Sequence, residues 1–327
     1  RASGAPGVDG AGSGALSVNG VSKRFGEIMA LDDVSFEVKP AELFGLVGPD
    51  GAGKTTLFRI LATLLIPDSG SATVLGLDVI ADLWAIRARV GYMPGRFSLY
   101  PDLSVEENLS FFASVFGTSI EEGRAAIAPI YNQIEPFRDR RAGALSGGMK
   151  QKLALCCALV HRPDILLLDE PTTGVDAVSR REFWDLLSTL KASGLPIVVS
   201  TAYMEEATRC DRVALMQKGR VLAVDEPAAI AARYPHPLFA VHARERHALL
   251  QVLRDYPHVA SVYPFGASVH YSDARIGVSA ASIADELRGF LATRSVTDVS
   301  VEAIAPGVED AFMELMVAPE GAVRAAA

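Results

Sequence analysis

The chain has 327 residues, half of them hydrophobic, with 31 basic against 39 acidic side chains for a net charge of −8. The length points to about two domains, and the apolar content supplies a core and excludes wholesale disorder. The acidic balance argues against a protein that grips nucleic acid by charge, so no nucleic-acid partner is expected.

Residues 1–14 include five glycines and are expected to be a flexible tail. No basic-then-apolar signal opens the sequence. The longest uninterrupted apolar run, Leu153–Val160, has eight residues, where a membrane-spanning helix needs about 20. Cys156, Cys157 and Cys210 fit neither a disulfide framework nor a zinc spacing and read as small core residues.

Residues 15–227 alternate short apolar strands with helical segments. Strands are expected at Val34–Val38, Leu43–Val47, Ile165–Leu168 and Ile197–Ser200, the last three as continuous apolar runs buried on both faces of a parallel sheet. Gly48-Pro49-Asp50-Gly51-Ala52-Gly53-Lys54-Thr55 follows the second of these and precedes a helix expected over Thr55–Leu65, the strand–loop–helix setting of G-x-x-x-x-G-K-[ST]. Glycines let backbone N–H groups turn toward phosphate oxygens, Lys54 neutralises the β/γ-phosphates, and the Thr55 hydroxyl can ligate Mg²⁺. Asp50 is out of place in an anion-binding loop, so its side chain should point away from the phosphates.

Between about 102 and 161 helical patterns replace strands, at Val105–Phe116 and Gly148–His161, which reads as a helical insert. Within it, Leu145-Ser146-Gly147-Gly148-Met149-Lys150-Gln151 opens a helix with a second potential anion site. The strand Ile165–Leu168 then ends in Asp169-Glu170-Pro171: Asp169 can hold Mg²⁺ and Glu170 can polarise an attacking water. After Asp225-Glu226-Pro227 the texture changes. Strands near Leu238–Val241, Val259–Pro264, Ser268–Tyr271 and Val296–Val301 and helices near Glu245–Asp255, Ala281–Ala292 and Val308–Met316 give the order β-α-β-β-α-β, a ferredoxin-like accessory domain over 228–327.

The P-loop, the LSGGMKQ stretch and the Asp-Glu strand, in that order, resemble the ATP-binding cassette (ABC) ATPases. The resemblance covers residues 17 to about 227 and implies a P-loop α/β fold with a helical subdomain. The nucleotide would be bound by 48–55 and Thr56, and Phe25 falls where the family stacks an aromatic on adenine. Asp176, in Gly174-Val175-Asp176, matches the D-loop. A second ATP-binding subunit, identical or not, would pair head to tail, so that Ser146, Gly147, Gly148 and Gln151 contact its partner's ATP. Tyr92-Met93-Pro94, Phe97-Ser98-Leu99-Tyr100 and Tyr203-Met204-Glu205-Glu206-Ala207 are similar to type-2 exporters, whose ATPase docks on a separate membrane permease. This implies a peripheral location on the cytoplasmic face of the membrane, with Phe97 or Leu99 anchoring a permease helix.

Two positions depart from the family pattern. Gly95 stands where a Gln approaches Mg²⁺ and the attacking water, and Ala202 follows Thr201 where a switch histidine contacts the γ-phosphate. The expectation is a weakened but working ATPase, with Lys54 and Glu170 catalytic. The alternatives are a nucleotide-binding clamp with little hydrolysis, or a non-transport ABC protein of translation or DNA repair. Tyr203 reads as a surface aromatic, Glu205-Glu206 as a solvated helix start, and the histidines beyond residue 235 lack metal-ligand spacing.

Overall fold

The computed structural model describes residues 14–95, 99–294 and 296–317. The chain divides after Pro227 into two compact units, the second being Ala228–Glu314.

In the first unit, β1 (Leu16–Phe25) and β2 (Ile28–Val38) form a hairpin whose turn contains Gly26 at φ 57°. Next come β3 (Leu43–Val47), α1 (Lys54–Leu61), β4 (Ser69–Val74), β5 (Leu77–Asp78), α2 (Leu83–Arg89) and β6 (Val90–Met93). The helical stretch holds α3 (Val105–Val115), α4 (Ile120–Ile134) and α5 (Gly147–Leu159). It is followed by β7 (Ile165–Asp169), α6 (Ala177–Ala192), β8 (Ile197–Thr201), β9 (Arg212–Gln217) and β10 (Arg220–Asp225).

Two sheets result. One is antiparallel, ordered β2-β1-β4-β5; the other is ordered β10-β9-β3-β8-β7-β6, parallel throughout except for the β9–β10 edge. Every residue of β3, β7 and β8 is buried, which is why these strands read as unbroken apolar runs. Leu16, Phe36, Phe44, Phe58 and Leu167 belong to one apolar cluster that ties the two sheets to α1. Among the described residues no helix is long and apolar enough to cross a membrane. Cys156, Cys157 and Cys210 are free and buried, and burial pushes all three thiols upward in pKa.

Two expected boundaries in this unit move by several residues, and one start is held by a cap. The strand expected from Val34 begins at Ile28, because pairing with β1 carries it through Asp32 and Asp33 despite their charge. Helix α1 stops at Leu61 rather than Leu65, and the chain turns at Thr63, whose φ is 60°. Ser104 caps α3 with a full capping box, its Oγ accepting from Glu107 N while Glu107 accepts from Ser104 N.

The second unit contains α7 (Pro227–Ala232, starting at the boundary), β11 (Leu238–His242), α8 (Arg246–Arg254), β12 (Val259–Phe265), β13 (Ser268–Asp273), α9 (Ala280–Thr293), β14 (Ser300–Ile304) and α10 (Val308–Val317, running past its end at Glu314). Its sheet is ordered β12-β13-β11-β14, antiparallel between all neighbours, the split β-α-β arrangement of a ferredoxin-like fold. The last strand is Ser300–Ile304, not Val296–Val301. Val296 N instead donates to Leu291 O at the end of α9, and Val296 and Val299 pack on the core from a loop. Tyr256 and Tyr271 are buried in that core, whereas Tyr263 and Phe265 are only partly buried.

Candidate functional site

The site lies at the C-terminal ends of β3, β7 and β8, where open α/β sheets place their ligands. The register explains the assembly: Val47 pairs with Thr201, and Asp169 pairs with Ser200.

From β3 the chain enters the loop 48–53. Gly51 and Gly53 have φ of 79° and 102°, in the region L side chains avoid. A Cβ at Gly53 would also fall 2.5 Å from Ala30 O, and one at Gly48 2.2 Å from Met216 O. The loop's tight path therefore needs these glycines. Helix α1 starts with no side-chain cap and no acidic residue in its first turn, leaving its first amides available to an anion. Pro49 and Asp50 are exposed, Ala52 is buried, and Thr55 and Thr56 are half-buried.

Lys54, only 3% exposed, donates to Gly48 O at 2.7 Å and Pro49 O at 3.0 Å. Its Nζ also lies 3.1 Å from Glu170 Oε1. These partners match the three protons of an ammonium group, so a buried charge is fully compensated. Thr55 Oγ1 donates to Asp169 Oδ1 at 3.2 Å, and Ser200 Oγ donates to the same oxygen at 2.7 Å. Burial pushes the Asp169 carboxyl up, against the pull of those two hydroxyls. Burial, with the Asp169 charge, pushes the Tyr92 phenol up to about 12. Glu170 N donates to Ser200 Oγ at 2.9 Å, and Glu170 itself holds φ 49°, an uncommon conformation for a side-chain-bearing residue.

Thr55 and Asp169 offer one hydroxyl and one carboxylate. Mg²⁺ suits such a pair, since it retains water and phosphate oxygens in its remaining positions. Among the described residues no cluster of three or more His, Cys, Asp or Glu offers an all-protein cage.

Gly95 borders this cluster: a Cβ there would stand 3.1 Å from Asp169 O and 3.6 Å from Asp169 Oδ2. Ala202 follows β8 directly. Phe25, 47% exposed at the end of β1, has Lys23 Nζ 5.7 Å from its ring centre. Ser146, Gly147, Gly148 and Gln151 lie apart at the start of α5, and no hydrogen bond among the described residues joins them to the cluster. Ser146 Oγ caps the helix by accepting from Met149 N, and a Cβ at Gly148 would meet Ser179 Oγ at 2.6 Å. Asp176 caps α6, accepting from Val178 N and Ser179 N; the amide and hydroxyl of Ser179 hold its carboxyl below the ordinary range.

The family model described as ABC transporter matches residues 31–173. Nod factor export ATP-binding protein I of Burkholderia orbicola is 42% identical over 218 residues, which cover 66% of this chain and 72% of its own. The chain belongs to the ABC transporter family. The probable multidrug ABC transporter ATP-binding protein YbhF of Escherichia coli K12 is 40% identical over 308 residues, 92% of this chain and 52% of its own, so this ABC protein spans about half the length of that relative. A solved ATP-binding subunit of an ABC transporter superposes with TM-score 0.61 at 28% identity, over 67% of this chain and 93% of its own. A dimeric ATP-binding cassette in a post-hydrolysis state bound to ADP and Pi gives TM-score 0.58 at 27% identity, over 64% and 98%.

Sequence reasoning misplaced one residue of this ABC chain and overlooked another. Glu206 is not solvated. It is 5% exposed, and its Oε2 accepts from Thr201 Oγ1 at 2.5 Å and Thr172 Oγ1 at 3.0 Å, tying the end of β8 to the loop after Glu170. Glu205 is exposed as expected and pairs with Arg180, whose guanidinium lies 4.5 Å from the Tyr203 ring centre. In the sequence Ser200 is only the end of an apolar strand; its pairing opposite Asp169 is what brings its hydroxyl into the cluster. Phe97 lies outside the described residues.

Proposed function

We propose that this chain binds and hydrolyses ATP as the motor subunit of an exporter, pairing with a second such subunit and driving a separate membrane permease from the cytoplasmic face. The observation that carries this reading is the meeting of Lys54, Thr55, Asp169 and Glu170 within hydrogen-bond reach at the ends of two parallel strands. Lys54 and the uncapped amides of α1 receive the β/γ-phosphates. Thr55 and Asp169 would hold Mg²⁺, which when bound neutralises charge on the transferring phosphoryl group.

Glu170 polarises the attacking water. Its carboxylate pairs with Lys54 in this structure; a γ-phosphate that takes over Lys54 releases Glu170 for that task. Phe25 stacks on adenine, and Ser146, Gly147, Gly148 and Gln151 complete the site of the other subunit, with Asp176 at the junction. The name of one relative, Nod factor export ATP-binding protein I, supports export as the direction, and that of the other, a probable multidrug ABC transporter ATP-binding protein, supports transport. A groove of about 660 Å³ between α2 and α3, lined by Trp84, Tyr92, Phe112 and Phe116, and a second of about 540 Å³ that includes Gly95 and Leu99, receive the permease.

Gly95 and Ala202 favour a second reading, an ATP-gated clamp that hardly hydrolyses. Steady-state phosphate release decides between them. Turnover that Lys54→Ala and Glu170→Gln both abolish supports the motor. A wild-type rate equal to that of Glu170→Gln, with permease present, overturns it.

A further inference from the structure

We infer that Ser200 is a positioning residue, one hydroxyl that locks the metal-holding carboxylate and the backbone of the water-activating glutamate to each other; this rests on the ATPase reading above. A serine hydroxyl has one proton to give and lone pairs to receive, and here both capacities are used at the site. The proton goes to Asp169 Oδ1 at 2.7 Å, and the oxygen accepts from Glu170 N at 2.9 Å. Ser200 is completely buried and faces Asp169 directly across the β7–β8 pairing, so its hydroxyl has no competing water.

Two consequences follow for the reacting groups. Ser200 and Thr55 both donate to Oδ1, which fixes the carboxylate plane and leaves Oδ2 on the Gly95 side. The Glu170 amide, held on Ser200 Oγ, anchors the residue at its φ of 49°; that conformation persists only where surrounding contacts over-determine it. Gly95 and Ala202 bring no hydrogen-bonding side chain to the cluster. Strand β8 therefore acts on the site through Ser200, two residues before the family's usual switch position.

The test uses the full chain and compares wild type with Ser200→Ala and Ser200→Thr. It reads kcat, KM for ATP, and the Mg²⁺ concentration that half-saturates binding of a fluorescent ATP analogue. For Ser200→Ala, kcat falls about 10–100-fold and the Mg²⁺ midpoint rises by about tenfold, the usual effect of losing a group that orients a metal ligand. KM and metal-free nucleotide binding stay within about threefold. Ser200→Thr keeps the hydroxyl and recovers both quantities.

Ser200→Ala within about twofold of wild type in kcat and Mg²⁺ midpoint overturns the assignment, as does a Ser200→Thr protein as impaired as the alanine variant. Should the alanine variant fail to fold, Ser200→Thr against Ser200→Val makes the same comparison at nearly constant shape, and equal behaviour of that pair overturns it. A wild type that releases no phosphate even with permease present overturns the ATPase reading instead, while the Mg²⁺ dependence of binding still judges Ser200.

Discussion

On the proposed ATPase reading, replacing Gly95 with glutamine should speed turnover. The backbone at Gly95 is not in the left-handed region, so a side chain brings no φ penalty. Its Cβ would sit 3.6 Å from Asp169 Oδ2, so an amide one methylene further on is within reach of the Asp169 side of the proposed site. A preorganised donor at a developing charge is worth about 10²–10³ in rate in other enzymes. On the proposed reading Lys54 and Glu170 already act there, and groups that work as a unit contribute less than their separate values. The expected gain in kcat is therefore about 10–100-fold, or roughly 1.4–2.7 kcal/mol of barrier.

The Cβ contact of 3.1 Å with Asp169 O requires a small backbone adjustment, costing on the order of 1 kcal/mol of stability. Phosphate release by wild type, Gly95→Gln and Gly95→Gln/Glu170→Gln, with ATP affinity and Tm measured in parallel, reads all of this. A Gly95→Gln protein with unchanged Tm and affinity but a kcat within twofold of wild type would refute the reasoning.

Phe58→Ala removes a fully buried ring from α1 and the cluster joining both sheets, and should cost about 3–5 kcal/mol. Both tryptophans, Trp84 and Trp184, lie in the first unit, so their fluorescence during urea unfolding reports this loss. In the second unit, burial pushes the Asp273 carboxyl up, but hydrogen bonds from Arg275 and Tyr271 outweigh it and hold it below the ordinary range. A depressed carboxyl stabilises above its unfolded pKa and loses that contribution as pH falls through the folded value. Hydrogen-exchange protection across 268–275, taken relative to the intrinsic rate at each pH, should therefore fall below about pH 4, and Asp273→Asn should flatten that dependence; an unchanged profile in the variant would count against the assignment.

What the sequence made legible was local. The P-loop, the LSGGMKQ helix start and the Asp-Glu strand end are each set by residues within eight positions of one another, and buried parallel strands declare themselves as apolar runs. What it hid was relational. Nothing in Glu205-Glu206 says which carboxylate turns inward; the hydroxyls of Thr172 and Thr201, 34 and 5 residues away, decide it. Ser200 becomes a site residue only through its register with Asp169, 31 positions earlier. Likewise β2 starts six residues before the expected Val34, running through Asp32 and Asp33, because β1 is there to pair with it.

The burial of all three native cysteines has a practical side. Maleimides react with exposed thiolates, and these thiols are neither exposed nor easily ionised. A single cysteine placed at an open position such as Asp139, whose side chain is 89% exposed in the helical stretch, will take a fluorophore or spin label selectively. Distance measurement between two labelled copies of the otherwise native chain then tests whether they approach and separate through an ATP cycle, as the proposed function requires.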